Sequence, residues 1–121
     1  MEHKLWFEEK NQITRLEVVG KIEAGEMREL LRKADEIYAN IAYPVLLCDV
    51  SRGEWPVITR GSRKVLRERG VKIGLKRVAF LNVPSTMHIV GKMLASIWGV
   101  LEGTRFFTSE EEAVLWLKET E

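Results

Sequence analysis

Residues 45–61 read VLLCDVSRGEWPVITRG, and the way this stretch divides decides the fold. Its first six residues, Val45 to Val50, are apolar apart from Asp49. An apolar run without polar alternation predicts a central strand covered on both faces. The strand is expected to end near Asp49 and Ser51, which read as a loop at the strand end. Thr59 then stands where a helix from Arg60 to Arg69 needs an N-cap, with Gly70 as its C-terminal stop. A buried strand that feeds a helix is the repeating unit of an α/β sheet.

Outward from this unit the alternation continues. Upstream, HKLWFEE and ITRLEVVG are two short runs parted at Lys10 and Asn11, which predicts a β-hairpin. EMRELLRKADEIYANI sets Met27, Leu30, Leu31, Ala34, Ile37, Tyr38 and Ile41 at helical spacing, and Tyr43–Pro44 breaks it. Downstream, RVAFLNV reads as a second buried strand, Ser85 as the cap of a helix reaching about Leu101, and TRFF as a short strand. Ser109 with Glu112 forms a capping-box signature that opens EEEAVLWLKE. The predicted order is β-β-α-β-α-β-α-β-α: an α/β fold with a mixed sheet that starts with a hairpin.

The chain of 121 residues reads as one domain, 1–121, with 45% hydrophobic and 31% charged residues. A net charge of +1 excludes a polyelectrolyte built for nucleic acid. The one cysteine, Cys48, excludes an internal disulfide and fits a reducing compartment. The N-terminus lacks a cleavable apolar core, and no stretch is long enough for a membrane span. A cytoplasmic protein is expected. One glutamine and three asparagines beside abundant Glu, Lys and Arg suit a thermophilic source.

The strand RVAFLNVPS, the helix segment IVGKML and the closing TRFFTSEEEAVLWLKE carry a resemblance. In the last of these, Phe107, Ser109, Glu111, Glu112, Ala113, Trp116 and Leu117 hold the pattern positions. The chain resembles the STAS domain of anti-sigma-factor antagonists and the SpoIIAA-like superfamily around it. Element order carries the likeness over nearly the whole chain, and motifs carry it over the last third. What the resemblance implies is a SpoIIAA-like fold and a non-catalytic interaction or regulatory module. In antagonist-type STAS domains the matching strand ends in Asp-x-Ser, present here as Asp49, Val50 and Ser51. The phosphoacceptor serine of those domains opens the next helix within Asp-Ser-Ser-Gly, where this chain reads VITRG. Thr59 is the one hydroxyl at that place, so it is the phosphoacceptor candidate. Its structural alternative is a helix cap, which is duty enough for the hydroxyl.

Catalysis has little in its favour. The chain holds no GxSxG elbow, P-loop or GxGxxG. His3 and His88 stand apart without companions at metal-ligand spacing. Cys48 lies inside an apolar strand, as an inert core thiol does. Neither enzyme activity, cofactor nor metal is expected.

Two surfaces stand out. Between Arg60 and Arg77 lie eight positive charges against the single Glu68, so the rest of the chain carries a net −6. Arg60, Arg63, Lys64 and Arg67 share one stripe at helical spacing. The stripe is either a dock for an acidic or phosphate-bearing partner or a solvated helix face. Nucleic acid is not expected, because no aromatics interleave with the charges. The helix STMHIVGKMLASIWGVL is apolar on more than one side. Met87, Val90, Leu94, Ile97 and Leu101 are read as its core face. Ile89, Met93 and Val100, with Trp98 beside the core face, are read as an interaction face, with Gly91 and Gly99 allowing close approach. A homodimer through that face is the first expectation. The alternative is a small carrier of apolar ligands or lipids, related to CRAL-TRIO domains.

Overall fold

The computed structural model describes residues 1–69, 73–97 and 99–119. Five strands form one sheet in the order β1-β2-β3-β4-β5. Strand β1 (Lys4–Glu8) pairs antiparallel with β2 (Ile13–Ile22). Strands β3 (Val45–Ile58), β4 (Arg77–Leu81) and β5 (Thr104–Phe107) then add in parallel. Helices α1 (Ala24–Tyr38), α2 (Arg60–Arg69), α3 (His88–Ile97) and α4 (Glu110–Lys118) alternate with these strands. The predicted order stands, with a hairpin connection that spans Glu9 to Gln12 and places Gln12 at a positive φ of 56°.

The sheet divides the core in two. Leu46, Cys48, Val78 and Phe80 point to the side covered by α1, α2 and α3. Val45, Leu47, Ala79 and Leu81 alternate to the other side, where Ala113, Trp116 and Leu117 of α4 cover them. A strand buried on both faces must be apolar at every position, and this is the origin of the VLLC and VAFL runs.

The N-terminus is pinned by a buried histidine. The Val19 N–H donates to His3 Nδ1 at 3.1 Å, so the ring proton lies on Nε2. Nε2 faces Lys21 O at 3.2 Å and Glu26 Oε1 at 3.3 Å. Glu26 Oε1 also accepts the Glu23 N–H at 3.0 Å, which fastens the first turn of α1.

Three local expectations need correction. Strand β3 does not end at Asp49; only its pairing with β4 ends there, at Asp49↔Leu81. Beyond it β3 follows β2 alone as far as Ile22↔Ile58, with Glu54 to Val57 bulging out against the single Lys21. Pro56, which has no N–H to give a ladder, sits in that bulge. Ser85 does not cap α3: Ser85–Met87 is a 3-10 turn led by Pro84, and α3 begins at His88. Helix α3 also stops at Ile97 rather than near Leu101. The expected stop of α2 at Gly70 lies outside the described residues.

Candidate functional site

Asp49 is the last residue of the β3–β4 pairing, and Ser51 and Thr59 lie beyond its carboxyl end, where open α/β sheets place their sites. Asp49 Oδ1 accepts the Ser51 N–H at 2.9 Å, a local turn bond at a half-buried carboxylate. Ser51 itself is exposed. Thr59 does cap α2. Its Oγ1 accepts the Ser62 N–H at 3.1 Å, while Ser62 Oγ accepts the Thr59 N–H at 2.9 Å. This is a capping box with serine in place of the usual Glu or Gln. The Thr59 hydroxyl also lies 3.4 Å from Ile22 O, tying the start of α2 to the end of β2.

The basic stripe is real as a surface. Arg60, Lys64 and Arg67 are exposed and Arg63 is half-buried, while Val65 and Leu66 face the core. None of the four cations pairs with a carboxylate among the described residues, whereas the neighbouring Arg69 binds Asp35 at 3.0 Å. Among the described residues no group of three or more His, Cys, Asp or Glu comes together as metal ligands would. Burial pushes the Cys48 thiol up to about 12, with Asp49 adding to the effect, so it is protonated at neutral pH. No helix among the described residues is long and apolar enough to cross a membrane.

The apolar flank of α3 is only partly as expected. Ile89 is 78% exposed and Met93 half-buried, as an interaction face requires. Val100 is a correction: it is 4% exposed and belongs to the core, while Leu101, assigned to the core face, is 48% exposed. The reason is the way α3 ends. The Val100 N–H donates to Ala95 O at 2.9 Å, and the Gly99 N–H to Ser96 O at 3.0 Å. Gly99 has φ +71°, completing a Schellman turn. That turn breaks the helical spacing and folds the next apolar residue back onto the helix. A glycine followed by Val-Leu was the available signal. Gly91 offers no approach to a partner either, because it is buried against Phe106. Trp98 lies outside the described residues.

One feature of this region escaped sequence reasoning. Trp55, in the β3 bulge, lines a cavity of about 60 Å3 between the sheet and α1. Its indole nitrogen is buried without a hydrogen-bond partner among the described residues.

No protein-family model matches the chain, and a search of curated proteins finds no match. Solved structures do match. An uncharacterised DUF3478-family protein from Shewanella loihica PV-4, with a SpoIIAA-like fold, superposes with TM-score 0.73 at 18% identity, over 95% of this chain and 91% of that one. The fold is SpoIIAA-like. The anti-sigma-factor antagonist SpoIIAA in its unphosphorylated form also matches, with TM-score 0.63 at 14% identity over 93% and 94% of the two chains. The SpoIIAA-like fold read from element order and the closing motif is thereby established for the chain.

Proposed function

We propose that this protein is a non-catalytic interaction module of the STAS type that binds a second copy of itself through the outer flank of α3. The observation that carries the reading is Ile89, 78% exposed on a helix that already buries Leu94 and Ala95 against the sheet. Met93 stands one turn further along the same side, and the exposed Leu101 follows the helix. A twofold axis lets one such patch cover its own copy. A stable contact needs about 800 Å2 from each partner. The SpoIIAA-like fold supports the module reading, since one structural neighbour is an anti-sigma-factor antagonist. The buried, single Cys48 suits a reducing compartment such as the cytoplasm.

Met93→Glu puts an unpaired charge into that contact and leaves the core untouched. Sedimentation velocity is expected to show the native chain as a dimer and the variant as a folded monomer. A native chain that is monomeric at tens of micromolar ends this reading.

The stripe of Arg60, Arg63, Lys64 and Arg67 is the second surface in the proposal, a dock for an acidic or phosphate-bearing partner. Its support is four cations spread along α2 that have no carboxylate partner among the described residues. Thr59 is the phosphoacceptor candidate, but phosphorylation there removes the hydroxyl hydrogen that faces Ile22 O and crowds the oxygen that accepts the Ser62 N–H, so capping is the favoured duty. The carrier reading has the cavity in its support, yet about 60 Å3 is far below what an acyl chain fills.

A further inference from the structure

Strand β1 closes one side of the sheet, and among the described residues only β2 pairs with it. Its outer edge keeps backbone N–H and C=O groups that no strand takes up. Leu5 packs against the core beneath α1, so Lys4, Trp6 and Glu8 alternate to the opposite face. On that face Trp6 is 40% exposed, although it stands in the middle of the strand. Glu8 is held by Arg15 at 2.6 Å, and Arg15 reaches Glu110 of α4 at 3.2 Å. Lys4 is exposed and makes no hydrogen bond or ion pair among the described residues. A lysine on an edge strand ordinarily blocks pairing with other chains. The order of residues here admits one partner, a second copy of the same strand.

We propose that β1 pairs antiparallel with β1 of a second copy, centred on Trp6, and joins the two sheets into one. A twofold axis through that centre sets each residue opposite the one equally far beyond Trp6. Trp6 then meets Trp6, Leu5 meets Phe7, and Lys4 meets Glu8 at both ends. Just outside the strand, Glu2 and Lys10 are matched in the same way. Aromatic pairs and opposite charges are favourable cross-strand neighbours, whereas like charges directly opposite are not. The neighbouring registers fail on that ground. The pleat has period two, so a twofold pairing that keeps the faces aligned can slip only to a centre at Leu5 or Phe7. Centring on Leu5 sets Glu8 against Glu2, and centring on Phe7 sets Lys4 against Lys10. Of the three registers, only the one centred on Trp6 has no like pair. A strand of 5 residues makes a small contact. Its dissociation constant is therefore expected at roughly 0.1–1 mM. This surface is separate from the α3 flank, and a chain using both links its dimers into larger assemblies at high concentration.

The test uses Met93→Glu as background, because that change removes the α3 contact. If the α3 contact does not exist, background and native chain behave alike and the test is unaffected. Sedimentation equilibrium between about 10 µM and 1 mM should show the background passing from monomer to dimer. Lys4→Glu, added to it, sets like charges at both ends of the pairing and should weaken the dimer about tenfold. Glu8→Lys should do the same. An equimolar mixture of the two variants should dimerise again, because opposite charges return at both ends. Amide hydrogen exchange in β1 should slow with concentration in the background and not in Lys4→Glu. Lys4→Glu breaks no hydrogen bond of the fold, so it decides the matter even if Glu8→Lys, which gives up Arg15, fails to fold. A background that stays monomeric at about 1 mM overturns the proposal. So does a Lys4→Glu variant that dimerises as well as its parent, or a folded mixture that stays monomeric.

Discussion

The ring of Phe106 occupies the place that a side chain at Gly91 would need: a Cβ there would lie 2.8 Å from Phe106 Cε1. The ring cannot swing clear. Phe80 stacks on it at 5.5 Å between centroids and His88 at 4.0 Å. Alanine gains about 1 kcal/mol of helix propensity over glycine. Overpacking a filled site costs about 1–3 kcal/mol. Gly91→Ala is therefore expected to destabilise the fold by roughly 1 kcal/mol, measured by urea denaturation. Adding Phe106→Leu should return part of that loss, because the two changes share one space.

Thr59→Ala removes the acceptor for the Ser62 N–H and should cost about 1 kcal/mol, while Thr59→Ser should cost little. Ser62→Ala strips the reciprocal acceptor from the Thr59 N–H. Thermal unfolding of the two single variants and the double should show a coupling between them. Full additivity would mean that the two hydroxyls do not act as one cap.

Val100 and Leu101 are neighbours with opposite duties. Val100→Ala removes two buried methyl groups and should cost roughly 2 kcal/mol. In the Met93→Glu monomer, where no second copy covers the flank, Leu101→Ala should leave the denaturation midpoint nearly unchanged, since the side chain is 48% exposed. Equal losses at the two positions would return Leu101 to the core face.

Acid should loosen the first turn of α1. The Glu23 N–H holds the Glu26 carboxyl below its ordinary 4.5, against the burial that pushes it up and with help from His3. The folded value lies below the unfolded one, so this contribution is fully present above the unfolded value and is lost as pH falls through the folded value. Stability plotted against pH should drop below about pH 4.5. Glu26→Gln keeps an acceptor for Glu23 but cannot titrate, so its profile should be flatter in that window. A profile identical to the native one would show that Glu26 is not among the groups responsible.

Much of this was legible in the chain because it is local. The apolar runs at 45–48 and 78–81 could only be strands covered twice, and Leu46 and Leu47 do face opposite layers. Thr59 and Ser109 announced helix starts by chemistry that acts within three residues, and both hydroxyls accept the expected N–H. The closing TRFF and EEEAVLWLKE fell on β5 and α4 for the same reason.

Other features depended on partners far away in the chain. Whether Val50 to Ile58 was loop or strand turned on β2, which supplies the pairing that β4 withdraws after Leu81. Which of Val100 and Leu101 entered the core turned on a single positive φ at Gly99, which helical periodicity cannot express. Gly91 was needed by Phe106, fifteen positions later, and not by a second molecule. The Trp55 side chain lines a cavity walled from three helices and the sheet because a bulge carries it there, and its indole nitrogen has no partner among the described residues. The sequence by itself determined the order of elements, their two covered faces and their caps, since period and capping act over a few residues. Only the tertiary structure decided which apolar side chains stayed outside and which polar ones, His3 among them, were shut in, because burial belongs to the assembled layers and not to any segment.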